Sequence, residues 1–350
     1  MTIQTRRRVL RLATLAGVIL AALAIGACGS SSKSSSTATT KLAGTALKSP
    51  TNVTLILDFV PNAVHAGIYH AIAAGYYKDQ NINLKVITPT TTADTLKLID
   101  QGKAQFGLAD GIDVASQIDL GRDAKAVMAL SQLPLGGPIT LASDHLTSPA
   151  QLQGKTVGIT GVPSDTATLD TTVRFAGGDP AKVHVVTIGF NGVQDLQAHR
   201  ISAFTGFWPA DGVQLQVNGY PINAFKLNEW GGPAYPGLVA FTTEPLINSN
   251  PQLVKAFVAA TVKGYEDTIR NPQQSLNDLL RLNPTLQRKL NAASLAAYLP
   301  LFTEHGKVPF GTLQPARVAA LSSWLLQYKL IHSPISTSRY GTDAFLPPGQ

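Results

Sequence analysis

Cysteine is nearly absent from this sequence, which has one cysteine, Cys28, among 350 residues. A disulfide within the chain is therefore excluded, as are a thiolate nucleophile and a cysteine-ligated metal site after Cys28. The seven histidines are scattered without the spacing of metal ligands, and no G-x-S-x-G motif occurs. The sequence thus predicts no catalytic residues, no metal site and no cofactor, and its stability must come from an apolar core.

Charged residues are also few, at 14% of the chain, and they leave a formal net charge of +7. Four of the 28 basic side chains (Arg6, Arg7, Arg8 and Arg11) precede Cys28, so 24 basic and 21 acidic side chains remain after it, a net charge of +3. No run of lysine or arginine with interleaved aromatic residues follows either. Nucleic acid is therefore excluded as a predicted partner.

The first 27 residues have the pattern of an export signal, with a basic head, an uncharged run at 12–27 and small residues before Cys28. The run is shorter than a membrane-spanning helix requires. Ile25-Gly26-Ala27-Cys28 resembles a bacterial lipobox, in which the cysteine sulfur is acylated. The alternative is an ordinary signal peptide that contains a cysteine, and both Sec and twin-arginine export stay open. We expect a lipid on Cys28 to hold the protein on the extracytoplasmic face of the cell membrane.

Residues 29–49 are rich in serine, threonine, alanine and glycine and have no apolar periodicity, which is typical of a flexible tether. From residue 52 onward strand and helix patterns alternate. Short β-prone runs at 53–57, 84–87 and 106–109 are separated by helical apolar patterns at 68–76 and 93–100. A second series of the same kind opens at 152–159. Alternation of this kind predicts parallel, doubly wound α/β sheets.

The segments after residue 240 are mostly helical, so we expect two doubly wound α/β lobes with a helical C-terminal return. The expected division is 1–27 signal peptide, 28–51 lipidated tether, 52–144 first part of lobe 1, 145–240 lobe 2, 241–335 return to lobe 1 and 336–350 C-terminal tail. The chain would cross between lobes near 142–148 and again near 238–243. Ligands of such sheets bind outside the carboxyl ends of the strands.

One segment is more specific than the rest. The sequence LDFVPNAVHAG at 57–67 resembles the motif L-D-W-x-P-N-x-x-H-x-G of the family of thiamine-pyrimidine synthases and periplasmic pyrimidine-binding proteins. The similarity continues in GFWPADG at 206–212 and GPAY at 232–235, and it covers roughly residues 53–272. The fragments QGKAQFG at 101–107 and LQGKTVG at 152–158 are shared with sulfonate, taurine and nitrate binders. The resemblance implies a bilobed, periplasmic-binding-protein-like fold of type II.

The resemblance also implies a site for a flat heteroaromatic ligand. Phe59, Trp208 and Tyr235 would supply aromatic surfaces, Asp211 would accept from an exocyclic amine, and Asn62 can donate and accept. Phe59 replaces the usual tryptophan, and Asp211 replaces the usual glutamate. Both replacements keep the chemical group, an aromatic face and a carboxylate, but change how far the side chain extends. Taken alone, Phe59 could equally pack in a core, and Asp211 could be a helix N-terminal charge.

Three further positions complete the predicted ligand-binding set. Asp110 follows the third predicted strand, and Thr160 and Ser164 lie between a strand and a helix, where backbone N–H groups can bind an anion. Ordinary N-capping by Ser164 or Asp165 is the alternative. His65 is the histidine of the 57–67 motif, and in the resembling synthases the histidine of this motif takes part in the chemistry. Here a ligand contact or a capping role is favoured, because no cysteine cluster for a metal follows.

These observations favour a non-enzymatic, monomeric substrate-binding lipoprotein of an ABC importer. It would capture a thiamine-precursor pyrimidine or related heteroaromatic, and its lobes would close on the ligand before it docks on a permease. The first alternative is an importer protein of the same kind with an alkylsulfonate, taurine or nitrate-type anion as ligand, which requires a lysine or arginine in the cleft. The second is a pyrimidine-synthase-type enzyme.

Overall fold

The computed structural model describes residues 44–348. The predicted export signal, the proposed lipid site at Cys28 and most of the predicted tether lie outside these residues, as do the last two residues of the chain. No helix within residues 44–348 has both the length and the apolar character needed to cross a bilayer.

Two five-stranded sheets form the framework of the described residues. The strands in chain order are β1 (Thr51–Ile56), β2 (Ile82–Ile87), β3 (Phe106–Ala109), β4 (Ala124–Ser131), β5 (Gly136–Leu141), β6 (Thr156–Ile159), β7 (His184–Thr187), β8 (Ala203–Phe207), β9 (Ile222–Ala224) and β10 (Leu238–Thr243). The first sheet has the order β2-β1-β3-β10-β4, and the second has the order β7-β6-β8-β5-β9. The α/β fold class is confirmed.

Helices cover both sheets and dominate the C-terminal third. They are α1 (Ala66–Ala73), α2 (Tyr76–Asp79), α3 (Thr92–Asp100), α4 (Gly111–Asp119), α5 (Pro163–Phe175), α6 (Gly192–Gln197), α7 (Val213–Val217), α8 (Glu244–Ser249), α9 (Pro251–Arg270), α10 (Pro272–Leu282), α11 (Arg288–Phe302), α12 (Pro315–Gln327) and α13 (Thr337–Tyr340). Prolines open several of these helices, where their missing N–H costs nothing. Leu55 packs in the core with α1, α9 and α11, and its neighbour Ile56 packs in the core with α4 and α12. Burial on both faces explains why β1 is a nearly continuous apolar run.

The sheets are mixed, and the expectation of purely parallel sheets was wrong. Strand β10 runs antiparallel to β3 and β4, and β5 runs antiparallel to β8 and β9. The cause is the route of the chain. Parallel strands such as β1, β3, β6 and β8 end at the cleft between the sheets, so a chain that arrives from the opposite sheet enters at that edge and runs the other way.

The chain passes between the sheets earlier than expected on the outward path. It leaves the first sheet after Ser131 and enters the second at Gly136, whereas the sequence favoured a crossing near residues 142–148. The run GGPITL that forms β5 has a proline and two glycines, which hid its strand character. The return leads through residues 225–237 into β10. The lobe boundaries drawn from the sequence stay a prediction.

Helix packing explains Gly67, the glycine that ends the 57–67 motif. Helix α1 crosses α9 so closely that a Cβ on Gly264 would lie 2.2 Å from the carbonyl oxygen of Gly67. A Cβ on Gly67 would meet the ring of Tyr265 at 2.5 Å. Larger side chains at either position would force the helices apart, which is destabilising in a packed core. The contact holds α1, and with it the loop after β1, against the first sheet.

Candidate ligand-binding cleft

A cavity lies between the two sheets, at the carboxyl ends of β1, β3, β6 and β8. It encloses about 710 Å³ including its open mouth. Six of the nine predicted ligand-binding residues line it. They are Phe59, Asn62, Asp110, Thr160, Ser164 and Asp211. The location agrees with the rule that ligands of open α/β sheets bind outside the carboxyl ends of the strands.

Carboxylates dominate the polar lining of this cavity. They are Asp58, Asp110, Asp113, Asp165 and Asp211. Within the described part of the chain, neither lysine nor arginine lines the cavity. The site therefore presents carboxyl oxygens, which accept hydrogen bonds from ligand groups that carry N–H donors.

Two of these carboxylates occupy the N-terminus of α5. The Oδ2 atom of Asp165 accepts hydrogen bonds from the N–H and the hydroxyl of Thr160, at 2.8 and 2.6 Å, and from the N–H of Gly161 at 3.0 Å. Asp113, on α4, accepts from the N–H and the hydroxyl of Ser164, both at 2.9 Å. The donors that could have bound an anion are thus satisfied within the chain. Capping by Asp165, one of the two alternatives drawn from the sequence, is what the structure contains.

The contact between Asp113 and Ser164 also joins the two sides of the cleft. Helix α4 follows β3 of the first sheet, and α5 follows β6 of the second. Both Asp113 and Ser164 are buried. A carboxylate with two donors from the opposite side holds the sheets in the arrangement seen here.

Burial raises the pKa of four of the cavity carboxyl groups, because the charged form loses hydration. The pKa of Asp113 rises to about 7, against the opposing hydrogen bonds from Ser164. The pKa of Asp211 also rises to about 7 through burial, although the Phe207 N–H donates to it at 3.0 Å. Burial and then the charge of Asp113 raise the pKa of Asp110 well above its usual range, and burial raises that of Asp165. Clusters of perturbed carboxyl groups in a cleft are typical of functional sites.

His65 lies behind the cavity rather than in its lining. Its Nδ1 accepts the N–H of Asn62 at 3.2 Å, so the ring proton resides on Nε2, which donates to Oδ1 of Asp58 at 2.9 Å. His65 is fully buried. It therefore caps the turn that precedes α1 and orients Asp58, which itself lines the cavity. Of the two roles that the sequence favoured, a ligand contact or a cap, the described geometry contains the cap.

Asn62 lines the cavity but uses its side chain locally. Its carbonyl oxygen accepts the N–H of Val64 at 2.9 Å, and its amide donates to the carbonyl oxygen of Val60 at 3.0 Å. These bonds shape the loop after β1. One amide hydrogen remains for a ligand.

Aromatic rings approach the cavity from both sheets. Phe59, after β1, meets Phe190, after β7, in an edge-to-face contact with ring centroids 4.4 Å apart. Phe204, Phe207 and Tyr298 add further aromatic lining. The Phe59–Phe190 contact closes one side of the cavity, and an apolar cover of this kind excludes water from a bound ring.

Trp208 and Tyr235 do not line the cavity, although both were expected to stack on a ligand. The Trp208 ring is covered by Lys226, whose Nζ lies 4.7 Å from the ring centroid. The π-helical turn Trp208–Gly212 has Ala210 and Asp211 toward the cavity instead. Tyr235 is fully buried and its hydroxyl donates to Asp110 at 3.1 Å, so its contact with the site runs through that carboxylate.

The sequence reasoning missed Asp58, Asp113, Asp165, Phe190 and Tyr298 as lining residues. Asp58 and Phe190 each come shortly after a strand, β1 and β7, so strand ends alone would have found them. Asp113 is one helical turn beyond Asp110, on the face that α4 turns toward the cleft. Tyr298 belongs to an apolar helix far along the chain, and no local pattern distinguishes it from a core residue.

The fold and this cleft define a bilobed α/β binding-protein architecture. A family model described as NMT1/THI5 like matches residues 62–275, more than half of the chain. The chain belongs to this family, and the resemblance inferred from the 57–67 motif is confirmed.

Characterised relatives span most of the chain. It is 30% identical over 288 residues to the formylaminopyrimidine-binding protein of Halalkalibacterium halodurans. The aligned residues cover 81% of this chain and 87% of that protein. It is 27% identical to the riboflavin-binding protein RibY of Chloroflexus aurantiacus, covering 97% of this chain and 99% of that one. It is 26% identical to the 4-amino-5-hydroxymethyl-2-methylpyrimidine phosphate synthase of Legionella pneumophila, over 75% of this chain and 83% of the enzyme.

Solved structures support the fold. The ligand-binding component of an ABC-type import system from Staphylococcus aureus superposes with a TM-score of 0.67 at 14% identity, covering 85% of this chain and 99% of that one. The periplasmic aliphatic sulphonate-binding protein of Escherichia coli gives 0.62 at 14% identity, covering 83% and 92%. The periplasmic-binding-protein fold is thereby established.

Proposed function

We propose that this protein is the substrate-binding component of an ABC importer and that it captures a thiamine-precursor pyrimidine or a related amino-substituted heteroaromatic. The observation that carries the proposal is the lining of the cleft. Aromatic rings and carboxyl groups line it together, and none of the described residues that line it is a lysine or an arginine. The binding-protein relatives, one for a formylaminopyrimidine and one for riboflavin, support the same ligand class.

The chemistry of the lining matches such a ligand group by group. An exocyclic amine donates N–H bonds to carboxylates, and Asp211 and Asp58, which both line the cavity, offer acceptors. A flat ring gains dispersion and edge contacts from Phe59, Phe190 and Phe204. Both interactions strengthen when closure of the sheets excludes water.

An anion of the sulfonate type is the poorer candidate, although the fold is shared with a sulphonate-binding protein. A sulfonate would meet five carboxyl groups in this cavity, and those that are ionised repel an anion at close range. The N–H groups of Thr160 and Ser164 that could offset the repulsion already donate to Asp165 and Asp113.

Binding without turnover is also part of the proposal. Members of the family include pyrimidine phosphate synthases as well as binding proteins. The resembling synthases use the histidine of this motif in their chemistry. Here that residue, His65, is enclosed between Asn62 and Asp58 and does not line the cavity. We therefore propose a monomeric capture protein that hands its ligand to a permease.

A titration tests the ligand class. Purified protein without its first 27 residues is titrated calorimetrically with the formylaminopyrimidine, riboflavin, taurine and a short alkylsulfonate. We expect micromolar or tighter binding of one heteroaromatic and no heat with the sulfonates, because only the former matches the carboxylate lining. Binding of a sulfonate with silence from both heteroaromatics would refute the proposal.

We also propose export and lipid anchoring through Cys28. The support is the basic head, the short apolar run and the lipobox-like sequence before Cys28. In a bacterial host fed labelled palmitate, the full chain should carry label and sediment with membranes, whereas Cys28→Ala should carry none. Equal labelling of the two proteins would exclude acylation at this cysteine.

A further inference from the structure

Tyr298 has an uncommon position among the residues of the cleft. It lies on α11, its side chain is fully buried, and it lines the cavity between the sheets. Within the described part of the chain its hydroxyl has no hydrogen-bond partner. Burying a hydroxyl without a partner costs the free energy of its lost hydration, so this hydroxyl needs a partner that residues 44–348 do not provide.

The other buried hydroxyls of the lining are committed. Ser164 donates to Asp113 at 2.9 Å, and Thr205 donates to Asp165 at 2.9 Å. The half-buried Thr160 donates to Asp165 as well. These bonds hold carboxylates in place and leave none of these three hydroxyls free to donate to a ligand. The cavity is therefore rich in acceptors, and the hydroxyl of Tyr298 is a donor with its proton unused.

The charge around Tyr298 keeps that proton in place. Burial, and then the charges of Asp58 and Asp211, raise the pKa of Tyr298 well above its usual range. The phenol is thus neutral throughout the physiological range and acts as a donor toward an acceptor atom in the cavity.

We propose that Tyr298 is a ligand-binding residue that sets specificity, and that its hydroxyl donates a hydrogen bond to a ring nitrogen of the heteroaromatic ligand. The inference rests on the proposed function and extends it. An aminopyrimidine has N–H donors on its amine and lone pairs on its ring nitrogens. The carboxylates bind the donors, and Tyr298 binds an acceptor, so a ligand needs both on one ring.

Tyr265 provides the matched comparison. It is also fully buried and packs in the same core cluster as Tyr298, and both rings contact Phe302. Its hydroxyl donates to the carbonyl oxygen of Val64 at 2.7 Å, and it does not line the cavity. Removing the hydroxyl of Tyr265 therefore breaks a structural hydrogen bond, whereas removing that of Tyr298 breaks none among the described residues.

The test compares Tyr298→Phe with Tyr265→Phe and with the unsubstituted protein, using calorimetry and thermal unfolding without ligand. For Tyr298→Phe we expect the affinity for the formylaminopyrimidine to fall about tenfold or more, because the ring nitrogen then stays unpaired in a dry site. Its unfolding temperature should be unchanged or higher. Tyr265→Phe should keep its affinity and unfold at a lower temperature. A carbocyclic analogue with CH in place of the ring nitrogens should bind both variants and the unsubstituted protein alike.

The outcomes separate this inference from the proposed function. If the unsubstituted protein binds no heteroaromatic, the proposed function fails and the inference fails with it. If it binds the formylaminopyrimidine and Tyr298→Phe binds it within twofold, only the role of Tyr298 is overturned. A lowered unfolding temperature with unchanged affinity would assign Tyr298 to the core, and an equal loss for the carbocyclic analogue would exclude contact with a ring nitrogen.

Discussion

Replacing Asp211 by asparagine is expected to weaken binding of an amino-substituted heteroaromatic about a hundredfold at pH 8, but only about threefold at pH 5.5. Burial raises the pKa of Asp211 to about 7. Well above that pH the carboxylate is ionised and makes charge-assisted bonds to the ligand amine, which asparagine cannot make. Below that pH the ionised fraction of Asp211 falls about tenfold per pH unit, so the native protein no longer binds the ligand much more tightly than Asp211→Asn.

The measurement is the ratio of two association constants, native over Asp211→Asn, from calorimetry across this pH range. The ligand is one that stays neutral across this range, because a protonated ligand would favour the carboxylate over asparagine and would itself change the ratio. Asp179→Asn serves as the control, because Asp179 is exposed, caps a turn through Ala181 and does not line the cavity. A ratio that stays constant with pH would mean that the charge of Asp211 does not take part in binding.

The same carboxylates lower the stability of the free protein at neutral pH. A carboxyl group whose pKa rises on folding contributes stability that is full below its unfolded pKa of about 4 and is lost as the pH rises through its folded value. For Asp113 and Asp211 that loss extends to about pH 7. Binding of the proposed ligand, which uses the ionised form of Asp211, should therefore strengthen with pH where the contribution of that group to folding declines.

Replacing Phe190 by alanine is expected to weaken binding about thirtyfold, mainly through faster dissociation. The rings of Phe190 and Phe59 both line the cavity, and their centroids are 4.4 Å apart. Without it the bound ring loses an aromatic contact and becomes accessible to water. Trp208→Ala should change the affinity less than threefold, because Trp208 packs beneath Lys226 and does not line the cavity.

Stopped-flow and calorimetric measurements on both variants decide this point. Phe175→Ala is the control, since Phe175, at the end of α5, is 61% exposed and does not line the cavity. If Trp208→Ala removes binding and Phe190→Ala does not, the ligand stacks on Trp208, as the family motif implied. The cleft must then open into a different arrangement before it binds.

Local pattern predicted the elements better than their directions. Strands β1, β3 and β6 and helices α9 and α12 have apolar periods or proline starts that locate them within a few residues. The antiparallel course of β5 and β10 depends on where the chain enters each sheet, which no short window contains. Both crossings between the sheets are therefore properties of the topology rather than of the local sequence.

The residues of the site also fall into those that the local sequence predicts and those that depend on the assembled fold. Phe59, Asn62 and Asp211 belong to motifs with strand ends, and the cavity contains all three. Trp208 belongs to such a motif too, but the π-helical turn at Trp208–Gly212 directs Asp211, rather than the indole, into the cleft. Tyr298 enters the lining from α11, about 240 residues beyond Phe59, and only the assembled fold brings the two together.

The position of β10 has a consequence for the order in which the molecule can be assembled. Strand β4 pairs in its sheet with β10 alone, and β10 separates it from β3. A chain that emerges from its N-terminus can complete the second sheet, which spans residues 136–224, while β4 still lacks a neighbour. The first sheet is finished only when residues 238–243 arrive. The sheet whose strands begin first along the chain is thus the one that is completed last during synthesis.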